Sequence, residues 1–173
     1  PTIQYGISEV QGWKNSMDIF TLEKMNIGPK NNYHLFGIFE GHNGIEISKY
    51  LSLCFYDFLI KNKNLEEGNF SRSLKETFVN IDDSFRTAEV KTELKKYSTS
   101  LNIDNIKGED KENISEFVEI FNPRNLEDVN PAEFVGSSGI VILLTDTLAY
   151  IANSGNSKCI PINKKEEIIN NKI

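Results

Sequence analysis

One stretch, Leu35-Phe36-Gly37-Ile38-Phe39-Glu40-Gly41-His42-Asn43-Gly44-Ile45-Glu46, constrains this chain more than any other. A short apolar run ends on an acid, turns through Gly41 and Gly44, and launches a helix. That layout delivers a carboxylate to the mouth of a buried strand, where low dielectric and nearby backbone carbonyls suit a hard cation such as Mg or Mn. The same layout serves domains with no metal, in which Glu40 caps the helix or is solvated, and spacing alone leaves both readings open.

The rest of the chain is arranged around this turn. Ile3, Tyr5 and Ile7 alternate with polar neighbours as a half-buried strand does, and Ile19-Phe20 with Leu22 and Met25 mark a second strand. Gly28-Pro29 and Asn31-Asn32 turn the chain into a third, over residues 33 to 39. Strands in succession with short links imply an antiparallel sheet. Beyond Gly44, the positions Ile47, Tyr50, Leu51, Cys54, Phe55, Phe58 and Leu59 follow helical spacing with one buried stripe. Leu65 to Gly68 interrupts it, and Phe70, Leu74, Phe78, Ile81 and Phe85 predict a second amphipathic helix, antiparallel to the first because the link is short.

From about residue 89 to residue 133 the periodicity decays into charge and Asn, which reads as an exposed insertion within a single domain spanning residues 1–173. Phe117, Val118, Ile120 and Phe121 are placed to form a short docking element inside it. Order returns at Val135-Gly136-Ser137-Ser138-Gly139, followed by the run Ile140 to Leu144. Asp146-Thr147 turns that run into Leu148 to Ala152 as a buried hairpin, and Lys158 to Ile162 reads as a further strand. Strands, two helices, then more strands give an α+β fold with helices stacked on a sheet. The apolar hairpin at residues 140 to 152 needs a second layer to cover it.

Composition narrows the partners. A net charge of -6 and an isoelectric point near 5.0 leave no footprint for nucleic acid, and Lys61, Lys63, Lys95 and Lys96 are scattered. No apolar segment is long enough to span a membrane. Cys54 and Cys159 read as small buried hydrophobes in a reducing compartment, so a cytoplasmic or nuclear location is expected. The glycosylation-like triplets at Asn69 and Asn113 are then chance matches in an Asn-rich chain without a secretory leader. A partner is expected to be a protein, such as a phosphoprotein or kinase, with an oligomer also open. His34 has no acidic or Cys partner in register and reads as structural, and Trp13 is expected to pack under the sheet edge.

Three separated pieces resemble one family. Gln11-Gly12-Trp13-Lys14-Asn15-Ser16-Met17-Asp18-Ile19 is similar to the Gln-Gly-x-Arg-x-x-Met-Glu-Asp segment of the metal-dependent type 2C serine/threonine protein phosphatases. Phe39-Glu40-Gly41-His42-Asn43-Gly44 resembles their Asp-Gly-His-Gly-Gly, and Ala152-Asn153-Ser154-Gly155-Asn156-Ser157-Lys158 their Ala-Asn-x-Gly-Asp-Ser-Arg. Gly136-Ser137-Ser138-Gly139 looks like their Gly-Ser-Thr-Ala entry to a central strand. The resemblance implies a β-sandwich of two antiparallel sheets flanked by antiparallel helices, of which this chain holds the N-terminal part. It also implies two metal ions whose bound water attacks a phosphoserine or phosphothreonine.

By position, Glu40 stands where the bridging acid holds both metals and Gly41 where a backbone carbonyl ligates one. His42 stands where a histidine is the general acid and Lys14 where an arginine clamps phosphate. Asp18 and Ile19 stand where a Glu-Asp pair holds metal-bound water. The departures carry weight. Glu40 adds a methylene, Lys14 lacks the bidentate fork of arginine, Ile19 offers no oxygen, and Asn156 removes an acid. Complete relatives are expected to continue past Ile173 with an Asp-Gly and a Gly-Asp-Asn element, neither of which occurs here. The sequence therefore reads as a degenerate, inactive phosphatase homologue that acts as a protein-binding or regulatory module, with no cofactor held. The alternative is an active phosphatase, whole or fragment, using Mg or Mn. A weaker third reading is a regulatory module cut from a larger signalling protein.

Overall fold

A computed structural model describes residues 3–13, 17–97 and 130–162. Four strands form one antiparallel sheet in sequence order: β1 (Ile19–Ile27), β2 (Tyr33–His42), β3 (Gly136–Leu144) and β4 (Ala149–Ser154). Between β2 and β3 come helices α1 (Glu46–Ile60), α2 (Lys63–Glu66), α3 (Phe70–Ser84) and α4 (Ala88–Tyr97), then a 3-10 turn at Pro131–Glu133. The architecture is α+β, one sheet with helices packed on one face.

Alternation along β2 sorts the two faces. Leu35, Gly37 and Phe39 point at the helices, and their register partners Leu22, Val141 and Leu143 join them in the core. Phe39 is fully buried and lies across two glycines, since a Cβ at Gly139 would come within 2.8 Å of its Cδ1 and one at Gly37 within 3.1 Å of its Cε2. Its ring meets Phe55 of α1 at 5.8 Å, and Phe55 meets Phe78 of α3 at 4.9 Å. Full burial of Phe39 and of Phe55 contributes about 2–3 kcal/mol each. The contacts Tyr50 with Phe85 and Phe55 with Phe78 run in opposite senses along the two helices, so α1 and α3 are antiparallel, as the short link requires.

The other face carries Phe36, Ile38, Ile140, Ile142 and Ile151, and no second sheet covers it among the described residues. Ile38 is 49% exposed there. The N-terminal residues cross this face without pairing. Tyr5 stacks at 5.1 Å from Phe36, and a hydrogen bond to Glu23 pushes its phenol upward. The expected first strand over Ile3, Tyr5 and Ile7 is instead an irregular, largely exposed segment that lies over the sheet face at Phe36 without joining the ladder.

Other expectations also change. The insertion expected from residue 89 begins instead as α4, whose Leu94 is fully buried while its charged residues face outward. Lys49 of α1 lies over the Tyr97 ring at 5.0 Å, and Asn130 Nδ2 donates to the Phe85 carbonyl at 2.7 Å, so both ends of the connection are docked on the helices. The segment holding Phe117 to Phe121 lies outside the described residues. The strand expected over Lys158 to Ile162 is reduced to a single bridge at Ile162, with Ile160 and Ile162 exposed. β4 is an edge, so the hairpin is buried along β3 and only half-buried along β4. Trp13 is fully exposed rather than packed under the sheet. Both cysteines are free, and burial pushes the Cys54 thiol up to about 12. No helix among the described residues is long and apolar enough to cross a membrane.

Candidate functional site

β2 is three residues longer than its sequence pattern suggests, and the extension sets the geometry of the site. Glu40, Gly41 and His42 belong to the strand instead of following it, so each has a fixed register partner. Glu40 pairs with Ile19 of β1 and with Ser138 of β3, making a row of three on the face away from the helices. Gly41 pairs with Ser137, and His42 with Gly136. β4 brings Ala152, Asn153 and Ser154 opposite Val141, Ile140 and Gly139. The three motifs, far apart in sequence, thus meet at one end of the sheet.

The turn that closes this end is held by backbone. Gly41 N–H donates to the Asp18 carbonyl at 2.8 Å, and Ser48 Oγ of α1 donates to the same oxygen at 3.2 Å. Gly41 has no room for a side chain: a Cβ would collide with the Gly44 carbonyl oxygen and come within 2.9 Å of Ser48 Oγ. Asn43 takes the left-handed conformation at φ 63, where Asn is better tolerated than most side chains, and its Nδ2 donates to the Phe134 carbonyl at 3.3 Å. The N-cap residue of α1, Ile45, makes no side-chain capping hydrogen bond. Glu46 supplies the acid of the first turn, where the helix dipole favours it.

The residues singled out from sequence divide as follows. Glu40 is half-buried, Gly41 buried and Asp18 half-buried, all at this end. His42 is exposed, and its ring makes no hydrogen bond to any described residue. Lys14 lies outside the described residues. Asn156 sits in the exposed turn after β4. His34 is at the opposite end of β2, where its Nδ1 accepts from the Asn26 N–H at 3.3 Å, in keeping with a structural role.

Two polar residues here escape a sequence reading. Ser138 is 3% exposed with an Oγ that has no hydrogen-bond partner, directly beside Glu40, and Glu46 is 9% exposed with an unpartnered Oε2. An apolar strand flanked by serines was the only signal for the first, and none marked the second. Buried oxygens without donors are uncommon and costly, which makes this end of the sheet acceptor-rich. It is nonetheless short of ligands. Among the described residues, no three His, Cys, Asp or Glu side chains converge as a metal-binding group. The position facing Glu40 is filled by the branched hydrocarbon of Ile19.

The sequence pattern of protein phosphatase 2C matches residues 3–103. "Probable protein phosphatase 2C 2" of Paramecium tetraurelia is 28% identical over 159 residues, covering 92% of this chain and 43% of that protein. "Probable protein phosphatase 2C 5" of the same organism is 30% identical over 155 residues, covering 90% and 42%. "Probable protein phosphatase 2C 21" of Arabidopsis thaliana is 25% identical over 185 residues, covering 97% and 48%. The chain spans less than half the length of these relatives.

Proposed function

Because the chain belongs to the protein phosphatase 2C family, we propose that it is a catalytically silent homologue working as a protein-binding or regulatory module. The observation that carries this reading is the Ile19–Glu40 pair: the register holds the two positions face to face, yet one of them bears no oxygen. Magnesium and manganese require about six oxygen donors in a tight octahedron, and a pair of ions requires shared carboxylates. Glu40, the Gly41 carbonyl and Asp18 fall short of that set, and the Asp18 carbonyl is already occupied by Gly41 and Ser48. The described residues by themselves therefore do not complete a resident metal pair. Its partner on this reading is a protein, a phosphoprotein or kinase, engaged through the exposed turn around His42.

A second reading is favoured by one observation, that Glu40, Gly41, Asp18 and His42 still share one sheet end. On that reading the site works as an Mg- or Mn-dependent phosphoserine/phosphothreonine phosphatase once further carboxylates are supplied. Calorimetric titration with Mn and Mg, with p-nitrophenyl phosphate turnover followed in the same samples, separates the two. It is run on the 173-residue chain and on the longest polypeptide that carries it. No heat and no turnover in either supports the silent module. Micromolar metal affinity with turnover that Glu40→Ala abolishes refutes it.

A further inference from the structure

At the end of the sheet away from Glu40, the β1–β2 turn and the β3–β4 turn enclose a hollow of about 370 Å³. His34, on its wall, stands eight residues before His42 on β2, which at the rise of a strand separates the two ends by about 26 Å. The hollow has an apolar part, Ile3 and Met25, and a polar part, Asn26, Asn32, His34 and Asp146. Asn32 Nδ2 donates to Asp146 Oδ2 at 2.6 Å, which fixes the amide so that its oxygen faces away from the carboxylate. That oxygen, Oδ1, is buried and has no hydrogen-bond partner. Asp146 forms no ion pair with any described residue. Its turn is braced by Thr145, whose Oγ1 donates to the Leu148 carbonyl at 3.1 Å and accepts from the Leu148 N–H at 3.1 Å.

We propose that this hollow is a docking site for the guanidinium group of an arginine side chain presented by a partner protein. The chemistry selects that group. A carboxylate with no ion-pair partner among the described residues calls for N–H groups carrying positive charge. A guanidinium fans several such groups in one plane and stacks on aromatic rings such as that of His34, while Ile3 and Met25 receive its aliphatic stem.

The test is an amide NMR titration of the full chain with N-acetyl-L-arginine amide, beside N-acetyl-L-citrulline amide, which has the same shape and no charge. Saturable shifts are expected at Asn26, Asn32 and His34 for the arginine compound, with a dissociation constant of about 1 mM, as befits one side chain. Citrulline is expected to bind at least about tenfold more weakly, and Asp146→Asn to weaken arginine binding by a similar factor. Asp146 lies in an exposed turn, and the spectrum of the variant itself reports its fold. Equal response to citrulline, an unaffected Asp146→Asn, or no saturable shift at these residues overturns the proposal, the last leaving only a water-filled hollow.

Discussion

Replacing Gly41 by alanine tests the idea that space, and not backbone freedom, requires glycine in the central motif. Gly41 is not among the residues with positive φ, so alanine meets no backbone penalty of its own. The obstacle is its surroundings: the new Cβ collides with the Gly44 carbonyl oxygen and crowds Ser48 Oγ and the Asp18 carbonyl. Overpacking of this kind costs about 1–3 kcal/mol, and the upper part applies because the main obstacle is backbone. Displacing the strand also weakens the Gly41 N–H bond to Asp18, worth about 1 kcal/mol. Alanine stiffens the unfolded chain and returns about 0.4–1 kcal/mol. The net is a loss of about 2–3 kcal/mol. Gly136, the register partner of His42, is the internal control: nothing lies within 4 Å of a Cβ there, so Gly136→Ala is expected to gain about 0.5 kcal/mol. Urea unfolding followed by far-UV circular dichroism measures both, since the single Trp13 is fully exposed and reports poorly on packing. A Gly41→Ala protein within about 0.5 kcal/mol of the parent, or a Gly136→Ala protein equally damaged, would refute the reasoning.

Three further outcomes follow from the core and from titrating groups. Phe55→Ala removes the ring that joins Phe39 to Phe78 and is expected to cost about 3–5 kcal/mol by urea titration. Burial holds the Cys54 proton up to about 12, above its ordinary 9.0, so at pH 8 iodoacetamide is expected to leave Cys54 unmodified in the folded protein and to label it after unfolding, as peptide mapping reads directly. Because the unfolded thiol ionises first, stability is present below pH 9 and falls as pH rises from about 9 to 12, a slope that Cys54→Ala is expected to flatten. Glu76 accepts from Arg72 at 2.7 Å and from Asn64 at 2.7 Å, and Arg72 above all holds its carboxyl below the ordinary range. Its contribution is present above about pH 4.5 and lost below, so Glu76→Gln is expected to reduce the acid dependence of stability in urea titrations at pH 3 to 6.

Where the sequence could be read, periodicity did the work. The α1 stripe from Ile47 to Leu59 and the α3 stripe from Phe70 to Phe85 are visible because each helix buries one face against a single layer. The family resemblance of the motifs groups Glu40, Gly41 and Asp18, and the fold brings Gly41 within a hydrogen bond of the Asp18 carbonyl. The N-terminal segment misled, since Ile3, Tyr5 and Ile7 alternate as a strand does but the segment lies over the sheet face and joins no ladder. Pattern records which side chains face the core, whereas a strand also needs a neighbour for its backbone. α4 was hidden for the opposite reason: one fully buried residue, Leu94, with Val90 and Tyr97 half-buried beside it, anchors a helix whose other positions are mostly polar. The hollow at Asn32 and Asp146 was illegible because its members come from turns 114 residues apart.

The pairing of Ile19 with Glu40 shows how a sheet can keep its register while altering its chemistry, and it can be made to reveal both. Cross-strand neighbours are set by the pleat, so Ile19→Asp places a carboxylate about 5 Å from that of Glu40 on the same face. At this partly buried position two negative charges repel by about 1–3 kcal/mol. The loss of the isoleucine contacts adds a penalty that does not change with pH, whereas the repulsion disappears when one acid is protonated. Stability of Ile19→Asp relative to the parent is therefore expected to improve as pH falls from 7 to 4, with Ile19→Asn as the uncharged control that shows no such recovery. Divalent cations that bridge the restored pair would raise stability at pH 7 in proportion to RT ln(1 + [M]/Kd), a readout independent of any turnover. A pH-independent penalty in Ile19→Asp would mean that the two side chains do not face each other, and the argument from register would fall with it.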